Sequence, residues 1–289
     1  MRVRAFAKIN RSLRVLGTRV DGYHELRTVF QSIALHDTLT IRFIRGPFQL
    51  TCDDPTCPTD GTNLIAKAAA AMWSATGRRG APRDVAIDLR KRIPMQAGLG
   101  GGSSDAAAAL RALAKQWRVA DEKVGAAAAA LGADVPYFFE GGAALGLERG
   151  DLLFPLLDPP GAWVVLVLPD FGVSTKEAFA WFDASKGARG CPPSPKAGRS
   201  PERLGLQEMV NDLEAPVVAR HPEIGRIISA LERAGASQAA MSGSGSAVFG
   251  LFSSRPAAIR AAARVASASR RTLVTRTLKR QTYQTLAAT

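Results

Sequence analysis

Apolar and polar residues alternate from Val3 to about Leu16, the period of a strand that presents chemistry on one face. RVDGYHEL breaks the pattern with a turn at Asp21-Gly22, and a second strand-like region runs from about Val29 to Ile44. NLIAKAAAAMW changes the period, placing Leu64, Ile65, Ala68 and Met72 on one helical face. Alternation returns at Val85, Ile87 and Leu89, and this half-buried strand delivers the chain to PMQAGLGGGSSDAAAAL, residues 94 to 110, a glycine loop opening an alanine-rich helix. EKVGAAAAALGADVPYFF is helical until Gly132, after which Pro136 forbids simple continuation, so Asp134 lies just beyond a helix end.

In LLDPPGAWVVLVLP a proline-glycine turn leads into an apolar strand at Trp163 to Leu168, which predicts a boundary near Asp158 and two domains, 1–158 and 159–289. Residues 185 to 201, rich in proline, glycine and serine, read as a surface loop. Two helices are expected at about Leu206 to Ala219 and Pro222 to Ala234. ASQAAMSGSGSAVFGLF then turns into a strand, a helix starts near Pro256, and RTLVTRTL is the last strand. No internal repeat is visible.

The 289 residues include no apolar run long enough to cross a bilayer, and MRVRAFAKINRSL lacks the unbroken apolar core of a secretory signal. A cytoplasmic protein with no membrane partner is expected. Cys52, Cys57 and Cys191 lack paired metal-ligand spacing and read as incidental thiols. A net charge of +13 favours an acidic partner, either nucleic acid or a polyanionic small molecule. Much of the excess lies between Arg255 and Arg280, where no acidic residue occurs and a solvated basic face is an adequate explanation. With no recognised nucleic-acid module or aromatic-basic platform in the chain, a nucleic-acid partner is not expected.

A backbone that wraps phosphate oxygens needs several N–H groups turned toward one point, which residues without a Cβ allow. Gly98, Gly100, Gly101 and Gly102 meet that need, Ser103 or Ser104 can cap the helix, and the helix N-terminus adds free donors. A plain glycine turn before a helix would look the same. No Gly-Lys-Ser/Thr closes the loop, so it is not a Walker loop, and it fits a dinucleotide fingerprint poorly.

PMQAGLGGGSSDAAAAL resembles the second motif of the GHMP kinases, and MSGSGSAVFGLF resembles their third. AKINRSLRVLGTRVDGYHELRTVFQSI and LGADVPYFFEGGAALGLERGD resemble the N-terminal and catalytic segments of the member acting in the non-mevalonate isoprenoid pathway. The match runs in order through nearly the whole chain. Gln96 and Ala97, where related loops often carry smaller residues or more glycine, and a long loop around Cys191 depart from the pattern.

The resemblance implies an α+β fold with a ribosomal-S5-like N-terminal domain, a ferredoxin-like C-terminal domain and an active site between them. It implies ATP-dependent phosphorylation of an alcohol on a small-molecule cytidyl diphosphate substrate, with Mg²⁺ accompanying ATP; another GHMP small-molecule kinase, acting on homoserine or a mevalonate derivative, is the alternative. Lys8 and Asp134 are the implied catalytic pair, with Asp134 as general base. Pro94, Met95, Gln96, Ala97, Gly98, Leu99, Gly100, Gly101, Gly102, Ser103 and Ser104 would bind ATP. Asn10, Tyr23, His24, Lys91 and Phe179 would bind the acceptor, His24 and Lys91 at the base edge and Phe179 as an aromatic platform. Gly243, Ser244 and Gly245 would brace the phosphate loop. The metal ligands stay open, with the Ser104 hydroxyl as one candidate. Each residue also has an ordinary role open to it: Asp134 a turn, Lys8 an exposed charge, His24 polar surface, Phe179 core.

Overall fold

The computed structural model describes residues 1–186 and 210–288. Two long strands, β1 (Arg2–Thr18) and β2 (His24–Arg42), form an antiparallel ribbon whose turn is set by Asp21, which accepts from Tyr23 N, and by Gly22 at φ +82°. The other edge of β2 is shared. Its C-terminal part pairs with β4 (Ala86–Arg90), which pairs in parallel with β3 (Gln49–Cys52), and its N-terminal part pairs with β5 (Ala143–Glu148), followed by β6 (Leu152–Pro155).

Among the described residues, four helices from the first half of the chain pack with this sheet. α1 (Leu64–Ala75) starts at Asn63, whose Oδ1 accepts from Ile65 N at 2.8 Å. α2 (Gly101–Trp117) begins after Gly100 in the left-handed conformation, with no side-chain cap. Ser103 and Ser104, expected as caps, lie within its first turn instead, and the Ser104 hydroxyl donates to Phe6 O at 2.7 Å. α3 (Asp121–Leu131) ends at Gly132, and the short α4 (Tyr137–Glu140) follows Pro136. The buried alanines Ala106 to Ala109 let α2 approach the sheet closely, around a core that includes Phe30, Leu39, Ile41, Ile87 and Phe138.

Residues 159 onward build a second, wholly antiparallel sheet in the order β10-β7-β9-β8: β7 (Trp163–Pro169), β8 (Gln238–Met241), β9 (Val248–Phe252) and β10 (Arg270–Arg276). Its helices are α5 (Thr175–Lys186), α6 (Glu214–Arg220), α7 (Pro222–Arg233) and α8 (Arg255–Val265). The helix expected from about Leu206 has its first residues outside the described ones; its described part is α6.

A third core cluster joins the two sheets, bringing Ala7, Ile9, Ile33 and Leu99 against Val164, Leu166, Phe249 and Leu251. The chain does not finish at β10 as expected. A last helix, α9 (Arg280–Ala287), returns to the first sheet and buries Tyr283 beside Phe6, with the Tyr283 hydroxyl donating to Phe138 O at 2.6 Å. Arg280, at the end of the basic stretch, is spent on structure, its guanidinium donating to Ala143 O and Leu156 O.

Candidate active site

A cleft of about 1020 Å³ opens where the two sheets meet, lined by β1, β2, the loop between β4 and α2, the turn after α3, the start of α5 and the turn between β8 and β9. The loop from Pro94 to Gly100 and the first turn of α2 through Ser103 form one wall. Their conformation demands glycine at two points. Gly98 sits at φ +72°, and a Cβ there would lie 2.0 Å from Ser242 O; Gly100 sits at φ +69°, and a Cβ there would lie 2.7 Å from Phe138 Cζ and 3.1 Å from Lys8 Cγ. Helix geometry leaves the first N–H groups of α2 without intrahelical acceptors, so this wall presents backbone donors and the positive end of a 17-residue helix. That is the chemistry a polyphosphate needs.

Lys8 and Asp134 meet in this cleft, with Lys8 Nζ 3.4 Å from Asp134 Oδ2. β1 holds Lys8 almost wholly buried, while Asp134, in the turn after Gly132, stays one-third exposed. Lys8 Nζ also donates to Asn10 Oδ1 at 2.5 Å and lies 5.4 Å from the centre of the Phe30 ring. Asn10 Nδ2 in turn donates to Thr28 Oγ1 at 2.7 Å, and that hydroxyl donates to Ser12 O at 2.8 Å. The Asn10 amide oxygen thus orients the Lys8 ammonium, while its nitrogen keeps a second N–H and the residue lines the cleft.

The expected acceptor residues divide. Tyr23 is 58% exposed on the rim, its ring 5.3 Å from the Arg149 guanidinium. His24 and Phe179 come together from opposite halves of the chain as a stacked pair, centroids 4.5 Å apart and planes 21° from parallel, and His24 Nε2 lies 2.9 Å from Asp183 Oδ1. One face of Phe179 is therefore covered by His24. Lys91 also lines the cleft, and its buried ammonium is ion-paired at 2.5 Å to Asp37 Oδ2 and 2.7 Å to Asp105 Oδ2. Burial, the largest single effect, lowers the Lys91 pKa, but the two carboxylates together outweigh it and hold the pKa above its ordinary value. Burial, first of all, pushes the Asp105 carboxyl up to about 8.

The third-motif turn touches the phosphate loop by close packing of Gly243 and Gly245 against Gly98 and by hydrogen bonds from residues on either side of them. Ser242 Oγ donates to Gly98 O at 2.9 Å and accepts from Asn10 N at 3.2 Å, and Ala247 N donates to Ala97 O at 3.2 Å. Gly243 packs beside Lys8, Asn10 and Gly98 O, Ser244 shares a hydrogen bond with Thr175, and Gly245 fits between Met241 and Gly98, where a Cβ on Gly98 would lie 3.2 Å from Gly245 N. Asn211, which sequence reading missed, pins the turn by donating to Met241 O and Gly243 O. Thr28, Asp37 and Asp105 were also missed, although a lone acid inside the apolar run SSDAAAAL was a visible signal.

Among the described residues no group of three or more His, Cys, Asp or Glu could hold a metal ion, and the Ser104 hydroxyl is taken by Phe6 O and lies outside the cleft lining. Among them also, no helix is long and apolar enough to cross a membrane.

Residues 63–142 match the model for the GHMP kinases N terminal domain, and residues 199–270 the model for GHMP kinases C terminal. A 4-diphosphocytidyl-2-C-methyl-D-erythritol kinase of Moorella thermoacetica is 42% identical over 282 residues, covering 95% of this chain and 98% of the relative. One from Solibacter usitatus is 44% identical over 279 residues, covering 90% and 83%. A crystal structure of 4-(cytidine 5'-diphospho)-2C-methyl-D-erythritol kinase superposes with a TM-score of 0.80 at 33% identity, covering 96% of this chain and 99% of that one. A homoserine kinase from Cytophaga hutchinsonii shares the fold, with a TM-score of 0.68 at 18% identity over 98% of this chain and 96% of its own. The chain belongs to the GHMP kinases, ATP-dependent small-molecule kinases, and within them to the 4-diphosphocytidyl-2-C-methyl-D-erythritol kinases.

Proposed function

We propose that this protein transfers the γ-phosphoryl group of ATP to the 2-hydroxyl of 4-diphosphocytidyl-2-C-methyl-D-erythritol, a step of the non-mevalonate route to isoprenoid precursors. The observation that carries the reading is the ion pair of Lys8 and Asp134 in the same cleft as the glycine-lined start of α2. ATP phosphates lie against the free N–H groups of that turn. Asp134 takes the proton of the acceptor hydroxyl as its oxygen bonds to the γ-phosphorus; the bond from that phosphorus to the β–γ bridging oxygen breaks, and ADP leaves with the electron pair. Lys8, held by Asn10 and Thr28, faces the carboxylate and the transferring group and offsets negative charge without having to reorganise.

Mg²⁺, bound together with ATP, would supply positive charge that offsets the charge of the phosphates. Among the described residues no group of three or more His, Cys, Asp or Glu would cage such an ion, so it would enter with the nucleotide. Tyr23 and the His24–Phe179 stack form the aromatic end of the cleft, where a flat pyrimidine finds contact area, with Asp183 holding His24 in place. The division near residue 158 belongs to the same reading: β6 ends at Pro155, β7 begins at Trp163, and the cleft takes residues from both sides.

The test is acceptor choice. ADP release coupled to an indicator reaction is followed with the cytidyl diphosphate alcohol, with homoserine and with mevalonate. Turnover with the first alone supports the reading, and preference for either of the others overturns it.

A further inference from the structure

Lys91 belongs to the nucleotide side of the cleft. Its ammonium lies between Asp37 on β2 and Asp105 on α2, while its own backbone is on the segment leaving β4, so one buried cation ties together three elements that meet under the glycine loop. The tie extends into the backbone. Asp37 Oδ1 accepts from the N–H groups of Arg92 and Ile93, and Lys91 N donates to Asp53 Oδ1 at 2.7 Å, which fixes the chain as it enters the loop. Gly101, the first residue of α2, rests directly on this cluster: a Cβ there would lie 3.2 Å from Lys91 Nζ and 2.9 Å from Ile93 Cγ2. One ammonium faces two carboxyl groups, which take two of its three N–H donors, and Asp105 Oδ1 has no hydrogen-bond partner, so the charge of Lys91 is turned mainly toward its own two acids. Removing one member of such a buried group leaves uncompensated charge, which holds the arrangement in a single geometry.

We propose that Lys91, clamped by Asp37 and Asp105, is a positioning residue for the nucleotide: it sets the first turn of α2 against the phosphates and does not contact the base of the acceptor. The inference rests on the reading that this turn binds the phosphates of ATP. It concerns how that turn is held.

Titration calorimetry with ADP plus Mg²⁺, and separately with CDP as a probe of the acceptor end, is performed on the wild-type protein, Lys91→Met and Lys91→Arg. Lys91→Met removes the charge; Lys91→Arg keeps it but forces a larger group beneath Gly101 and preserves the fold if the other variant does not. The proposal expects ADP to bind about tenfold more weakly, or worse, in each variant that folds, with CDP affinity within about twofold. Loss of CDP affinity equal to or larger than that of ADP overturns it in favour of a base contact. Unchanged ADP affinity in the folded variants overturns it as well. Wild-type protein that binds CDP but not ADP would overturn the phosphate-loop reading itself, and this inference with it.

Discussion

Lys8 and Asp134 reach the same point of the cleft from the first strand and from the turn after the third helix, 3.4 Å apart between Nζ and Oδ2. Neither local segment places them there. The ribbon of β1 and β2 buries Lys8, and Asn10 and Thr28 take up its freedom, so the ammonium is fixed before any ligand arrives. Lys8→Ala removes charge from a preorganised site, and turnover is expected to fall at least about 100-fold. A coupled ADP-release assay, with circular dichroism to verify the fold, checks this.

Gly98→Ala is expected to be among the most damaging single-methyl changes in the chain. The new carbon meets a backbone carbonyl oxygen, Ser242 O, at 2.0 Å in a left-handed conformation, so the two halves of the molecule must separate at their contact. A loss of about 2 kcal/mol or more in urea unfolding is expected. Ser242→Ala, which removes only hydrogen bonds to Gly98 O and from Asn10 N, should cost about 1–2 kcal/mol.

Asp105 gives stability a pH dependence of defined sign. Its folded pKa is pushed up to about 8 from 3.8, chiefly by burial, so between these values the folded protein binds more protons than the unfolded chain. This contribution to stability is present at the acid end and is lost as pH rises through that window. Asp105→Asn, which cannot ionise, should flatten the dependence. Thermal melting from about pH 5 to about pH 9 should show the wild-type protein losing more stability than the variant.

α9 links the C-terminal end of the chain to the phosphate loop through aromatic packing. Tyr283 donates to Phe138 O, and the Phe138 ring fills the space beside Gly100. Tyr283→Phe deletes a buried donor and is expected to cost about 1 kcal/mol. Truncation after Leu278 uncovers Phe6 and should lower the melting temperature by several degrees more than the point change, as differential scanning calorimetry would show.

Periodicity was enough for β1, β2, β4 and α1, while β7 was legible as a continuous apolar run, buried along most of its length, and α2 as an alanine-rich run behind the glycine loop. β3, β5, β6 and β8 are short, and their apolar positions too few to stand out from neighbouring loops. α9 was hidden by its polar composition, since only Tyr283 and Ala287 are buried along it. At the site, Lys8, Asp134 and the glycine loop were legible from local motifs. The roles of Asn10, Lys91 and Ser242 were not, because each depends on a partner far away in sequence: Thr28 for Asn10, Asp37 for Lys91, and the Gly98 carbonyl for Ser242.

The most direct test of the chemistry is single-turnover phosphoryl transfer by Asp134→Asn, measured beside calorimetric binding of ADP and CDP. If the Asp134 carboxylate receives the hydroxyl proton, the rate falls by about 10²- to 10⁴-fold while both ligands bind within about threefold of wild type. A rate near that of the wild-type protein would contradict the account.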